Sequence, residues 1–239
     1  MVITAFVFGC PGSGKSTAAR CIEMVVRDKG KDWAAFRVSD YKILDEWFRA
    51  DTEQARFRPR EFGGFDILVP DAYDEALQVL KCQVHEHTPS RENEFMVIEF
   101  ARCDYQNALK LFRKDLLQDA HFLFLEAEIE TCVRRIHDRV HKPGRTLDDH
   151  FTSEFVFECY RQRHKGYISS TVSMLKTVYG VDEQKIRIID NNAARSFQDL
   201  QTEIKGFVED SMSNQTAEKH TGPFILSNTP MLHLNFSTI

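Results

Sequence analysis

The sequence predicts an α/β protein, a parallel sheet with helices on both of its faces. Three observations carry this. Short apolar runs rich in β-branched and aromatic residues alternate along the chain with longer stretches of helical periodicity, the pattern of strand–helix–strand crossovers. The first strand–helix pair brackets Gly9-Cys10-Pro11-Gly12-Ser13-Gly14-Lys15-Ser16, which satisfies G-x-x-x-x-G-K-[ST] in full. At 239 residues the chain can bury one α/β core with an excursion or lid, whereas two large domains would be crowded.

Residues 2–8 are apolar and β-branched, as a buried strand requires, and 17–26 carry apolar residues at helical spacing without a breaker. A strand, a glycine loop and a helix in that order make a phosphate cradle. The glycines let successive N–H groups of Gly12, Ser13, Gly14, Lys15, Ser16 and Thr17 point inward, and the helix dipole adds to their field. Lys15 can reach β- and γ-phosphates, and the Ser16 hydroxyl can ligate Mg²⁺. A nucleoside triphosphate is the expected ligand.

A turn at 28–32 leads to a second strand, 33–38, ending at Ser39-Asp40. Ligands of open α/β sheets gather beyond the carboxyl ends of strands, so Asp40 stands where a reacting group can be met. A helix over 41–50 follows. Residues 56–65 interleave arginines with phenylalanines around Pro59 and Gly63-Gly64, which break regular structure. A helix over 71–87, with Asp71 as its cap, precedes a third strand at 94–100. The remaining elements are a helix at 105–117, a strand at 121–125, a helix at 128–139, a glycine-bearing loop at 140–145, a long helix at 153–179 and a last strand at 185–189. A closing helix then runs to about 209. Residues 211–239, rich in Ser, Asn and Thr, read as a flexible or loosely docked tail, whose 231–236 stretch could add an edge strand. One domain over 1–210 is therefore expected, with a lid about 134–150 and an acceptor region about 40–95.

Glu99 follows four apolar strand residues, the Walker B arrangement. It can hold Mg²⁺ through water or act on an acceptor, and it can also simply cap the next helix. Two readings stand open for Asp40: a base taking the proton of an acceptor hydroxyl, or an N-cap for the helix beginning at Tyr41. Arg134, Arg135, Arg139, Lys142 and Arg145 form a cationic cluster, continued by Arg161 and Arg163. Arg135 and Arg139 share a helix face, and a loop bearing such arginines can close over a triphosphate. Arg139 and Arg145 are the catalytic candidates and Arg135 a nucleotide-binding one. Arg56, Arg58 and Arg102 are candidates for holding the acceptor, unless the neighbouring phenylalanines are core and the arginines face water. The nine histidines form no metal-binding spacing, so Mg²⁺ is the one metal assigned.

A net charge of −5 supplies no general basic field, which argues against a nucleic-acid partner and for a small-molecule acceptor. The six cysteines contain no C-x-x-C pair and read as reduced thiols. With no leader pattern and no apolar run of membrane length, a cytoplasmic protein with no membrane partner is expected.

The phosphate loop, the Glu99 strand, the arginine-rich 134–145 segment and the turn Asp190-Asn191-Asn192 together resemble the P-loop kinase family. That family includes nucleoside monophosphate kinases and kinases of small hydroxylated metabolites. The resemblance covers about residues 1–210 and implies a three-layer sandwich whose five parallel strands lie in spatial order 2-3-1-4-5, with a short helical lid. It also implies ATP and Mg²⁺ as cofactors, Lys15 and Ser16 on the phosphates and metal, lid arginines clamping the transferring group, and Asn191 near the adenine. Gly9 through Thr17 with Arg20, followed by Asp40-Tyr41, is similar to the start of polynucleotide 5′-hydroxyl kinases. Those have paired aspartates where this chain has Ser39-Asp40, and an arginine where Lys42 stands.

The expected function is an ATP-dependent kinase acting on a small hydroxyl- or phosphate-bearing acceptor. A polynucleotide 5′-hydroxyl kinase and a non-catalytic ATP-binding module are the alternatives. The N-K-x-D of a GTPase switch is absent, and no second acid stands beside Glu99 as a remodelling ATPase would need.

Overall fold

The computed structural model describes residues 1–61, 63–141, 152, 154–163, 166–192 and 195–220. Lys142, Arg145, most of the expected lid and the 231–236 stretch lie outside the described residues. In chain order, β1 (Val2–Gly9) leads through the glycine loop into α1 (Lys15–Asp28), and β2 (Trp33–Ser39) runs directly into α2 (Asp40–Ala50). A short hairpin of β3 (Phe57–Pro59) and β4 (Phe65–Ile67) precedes α3 (Asp71–Glu86) and β5 (Asn93–Glu99). Two short helices, α4 (Tyr105–Leu109) and α5 (Lys114–Asp119), connect to β6 (His121–Glu126) and α6 (Ile129–Val140). Then come α7 (Glu154–Arg163), α8 (Tyr167–Thr177), β7 (Ile186–Asp190) and α9 (Phe197–His220).

Five strands form one parallel sheet in the order β2-β5-β1-β6-β7. Counting only these five along the chain, that is the expected 2-3-1-4-5. The strands read as continuous apolar runs because both faces are covered. Phe6 and Phe8 of β1 point to one face, against Leu44 of α2, Leu77 and Leu80 of α3 and Leu175 of α8. Ile3, Ala5 and Val7 point to the other, against Ile22 of α1 and Ile204 and Phe207 of α9. On the first face Phe6 stacks on Phe122 at 5.4 Å and meets the edge of Phe112 at 5.1 Å.

Several boundaries differ from expectation. The helix expected over 105–117 is two, because Arg113 adopts extended backbone (φ −64°, ψ 144°) between α4 and α5. The long helix expected over 153–179 is also two; Gly166, at φ 84°, occupies a left-handed conformation that starts α8 afresh. The Asp71 cap is not made, since Asp71 is already the first helical residue and Pro70 holds the cap position. The closing helix continues to His220 rather than ending near residue 209. Ser211, read as the start of a tail, is fully buried, with its hydroxyl donating to the Phe207 carbonyl at 2.8 Å. Burial of Leu200, Ile204, Phe207 and Val208 against the sheet outweighs the weak helix propensity of the polar residues that follow. Among the described residues no helix is long and apolar enough to cross a membrane, and all six cysteines are free thiols.

Candidate functional site at the carboxyl edge of the sheet

Parallel pairing brings the carboxyl ends of the strands to one edge, and the register decides which residues meet there. Val7 pairs with Glu99, and Glu99 pairs with Ser39. The glycine loop, Glu99 and Asp40 thus become neighbours although they are far apart in the chain. A cavity of about 480 Å³ opens over this edge. Gly12, Gly14, Lys15, Ser16 and Thr17 line it, as do Asp40, Glu99, Arg135, Arg139 and Asn191.

The loop is held from three sides. Gly12, at φ 84°, lies so close to α6 that an added Cβ would stand 2.4 Å from the Cys132 carbonyl oxygen. Asn191, expected near an adenine, is buried and donates its amide to the Ser13 carbonyl at 2.7 Å, so it also braces the loop. The buried Tyr105 hydroxyl accepts from the Gly9 N–H at 3.0 Å. Gly12→Ala should therefore lower stability by about 1–2 kcal/mol from its left-handed backbone alone, before the approach to α6 is counted. Thermal unfolding checks this, and an unchanged melting temperature would mean that the loop is not held in this way.

Lys15 is buried, and its ammonium donates to the carbonyls of Gly9 at 2.8 Å and Cys10 at 3.1 Å. Burial draws its pKa below the ordinary value, opposed chiefly by the nearby carboxylates of Glu99 and Asp40. Ser16 donates its hydroxyl to Glu99 Oε1 at 2.8 Å. The other carboxylate oxygen, Oε2, accepts from Arg37 Nε at 3.1 Å and Nη2 at 2.6 Å. A hydroxyl and a carboxylate oxygen in contact are hard donors of the kind Mg²⁺ takes together with substrate phosphates. Ser16 and Glu99 therefore fit that ion; among the described residues no group of three or more His, Cys, Asp or Glu side chains could hold a metal.

Asp40 is the first residue of α2 and is buried. The cap position falls to Ser39, which makes no side-chain cap bond. The Asp40 carboxylate instead accepts from Arg102 Nη1. Burial pushes the Asp40 carboxyl above its ordinary value, with Arg102 and Lys15 opposing and Glu99 adding to the rise. Arg102 itself is anchored: it also donates to the carbonyls of Ala101, at 2.7 Å, and Tyr73, and lies 5.5 Å over the Tyr73 ring. Expected to bind substrate, it here meets Asp40 and two backbone carbonyls with its guanidinium.

Arg135 and Arg139 reach the cavity from one face of α6, whereas Arg134 on another face is exposed. Arg135 Nη2 donates to the Asn192 carbonyl at 3.4 Å, and among the described residues its buried Nη1 has no hydrogen-bond partner. Arg56 and Arg58 do not line the cavity. Arg56 pairs with Glu75 at 2.7 Å and Arg58 with Asp66 at 3.0 Å. Phe57, between them, is core, and the half-buried Phe65 packs on it at 5.2 Å and on Phe48 at 4.8 Å.

Sequence reasoning missed Arg37 and Tyr105. A lone arginine inside an otherwise apolar strand was a signal for the first, because an inward charge needs a partner. Nothing local marked Tyr105, whose hydroxyl meets a loop far away in the chain.

No protein-family model matches the chain, and no curated protein matches it at a significant level. Solved structures do resemble it. A gluconokinase from Sinorhizobium meliloti 1021 is 13% identical, with a TM-score of 0.52 over 91% of this chain and 98% of that one. A protein from Chloroflexus aurantiacus provisionally assigned as a kinase is 13% identical, with a TM-score of 0.51 over 87% of this chain and 97% of that one. At such identity the likeness is one of fold alone, a five-stranded parallel sheet with helices around it.

Proposed function

We propose that this chain is an ATP-dependent kinase that passes the γ-phosphoryl group to a small acceptor. One observation carries the reading: a single cavity joins a phosphate loop to two buried carboxylates, Glu99 at the loop and Asp40 beyond it. A triphosphate site alone needs no carboxylate in Asp40's position. Phosphoryl transfer asks mainly for positioning and charge stabilisation, and the site is built for both.

In this reading the loop N–H groups and Lys15 hold the β- and γ-phosphates. Ser16, and Glu99 through water, would hold Mg²⁺, which would supply charge neutralisation on the phosphate oxygens. Arg37 fixes Glu99, and Arg102 fixes Asp40. An acceptor hydroxyl attacks the γ-phosphorus as the bond to the bridging β–γ oxygen breaks; its proton passes to Asp40. Arg135 and Arg139 face the charge that spreads over the transferring group; Arg145, outside the described residues, is proposed to act with them. The domain is taken as residues 1–210, with Ser211 and Met212 of α9 also packed on it. Its medium is taken as cytoplasmic.

The test is ADP release from ATP and Mg²⁺ with nucleosides, nucleoside monophosphates, small alcohols and 5′-hydroxyl oligonucleotides as acceptors. Release that depends on one of them is expected. ATP uptake with no acceptor-dependent release would leave only a binding module. Arg139→Ala should lower kcat about 10²-fold with little change in ATP affinity, as for a contact that strengthens in the transition state. A loss confined to affinity would reduce Arg139 to a ground-state clamp.

A further inference from the structure

We infer that the acceptor end of the cavity takes a neutral hydroxyl compound with a flat, apolar body, such as a nucleoside or an aryl alcohol, and turns away acceptors carrying a phosphate or carboxylate. This rests on the kinase reading above and narrows it.

The walls beyond Asp40 are Tyr41, Leu44, Phe65, Ile67 and Tyr73. Tyr41 and Phe65 stack with centroids 5.5 Å apart and planes 8° from parallel, and Phe65 is backed by Phe48 and Phe57. Burial pushes the Tyr73 phenol up to about 12, so this wall stays uncharged near neutral pH. Because these rings stack on one another they form a rigid apolar wall, and such a wall favours a flat apolar partner.

The charges at this end are already paired: Asp40 with Arg102, which lies over the Tyr73 ring, and Glu99 with Arg37. Among the described residues, the charged groups lining it are Asp40 and Glu99. Every arginine that the sequence offered here is engaged or outside: Arg102 with Asp40 and two carbonyls, Arg56 with Glu75, Arg58 and Arg60 with Asp66. The other lining cations, Lys15, Arg20, Arg135, Arg139 and Arg195, sit on α1, on α6 and just before α9. With Arg102 taken by Asp40 and Arg37 by Glu99, an anionic acceptor would bring negative charge out of water at an end whose described arginines already have carboxylate partners. A neutral alcohol avoids that cost and still offers its hydroxyl to Asp40.

Matched pairs test this: cytidine against cytidine 5′-monophosphate, and benzyl alcohol against 4-(hydroxymethyl)benzoate. Both transfer (kcat/KM) and equilibrium binding to the ADP-loaded protein would be measured. The neutral member of each pair should be favoured at least about tenfold. Ile67→Arg, which places a cation in the wall, should shrink that ratio at least tenfold. Equal or better use of the anionic members, binding of neither member, or a ratio indifferent to Ile67→Arg would overturn the inference. Failure of all transfer with ATP bound would instead overturn the kinase reading, and the binding ratio would still decide the character of this end.

Discussion

Lys15→Met should lower phosphoryl transfer by about 10²–10³-fold or more, the range for removing one preorganised donor from a transition state. The expectation follows from where the ammonium stands. It is buried, held by the Gly9 and Cys10 carbonyls, and desolvated enough that its pKa falls. A cation in that setting interacts with phosphate oxygens far more strongly than one in water. Methionine keeps most of the stem, so packing is preserved while the charge is lost. Turnover and ATP titration on the same sample check the result. Near-normal rates in the variant would remove the central assignment, because no other cation on the phosphate loop replaces Lys15.

The second large effect is expected at Asp40. Asp40→Asn should cut kcat/KM for a hydroxyl acceptor by about 10²–10⁴-fold, the usual contribution of a positioned base. The amide keeps an oxygen for Arg102 to donate to, so the geometry around it is largely retained. The pH profile separates a base from a spacer. A base works only when ionised, and burial raises this carboxyl, so the wild-type rate should fall, as pH drops, at a value above the ordinary carboxylate range. That limb should be missing from the variant's residual rate. Stability moves in the opposite sense. A carboxyl whose pKa is higher in the folded state contributes stability that is complete below its unfolded pKa and lost as pH rises through the folded one. The melting temperature of the wild type relative to Asp40→Asn should therefore decline across that window. A parallel pair of curves, with kcat unchanged, would leave Asp40 a structural partner of Arg102.

Much of the architecture was legible in the residues. Continuous apolar runs such as 2–8 and 95–98 can satisfy burial only as strands covered on both faces, and the helical stretches between them force parallel crossovers. The places that misled were those where one residue's backbone decides. Arg113 and Gly166 interrupt helical patterns that periodicity alone would have continued. Past residue 209 the error ran the other way, since composition suggested a loop where α9 persists to His220 on a stripe already docked.

At the site the division is similar. Gly12, Gly14, Lys15 and Ser16 were readable because a phosphate cradle is local: contiguous backbone and the start of one helix make it. Charge pairing is not local. An arginine in a sequence shows only that it must find an anion or water, and Arg56, Arg58 and Arg102 all looked equally available to a substrate. Sheet register, by setting Ser39 and Val7 on either side of Glu99, chose the partners. It put Arg37 on Glu99 and left Arg102 to Asp40, and the hairpin turned Arg58 toward Asp66. The sequence by itself thus determined the fold class and the phosphate loop, whose causes are burial along short segments and contiguous backbone geometry. Only the tertiary structure decided which carboxylates face the cavity and which cations are left to meet a ligand, because those depend on contacts between residues dozens of positions apart.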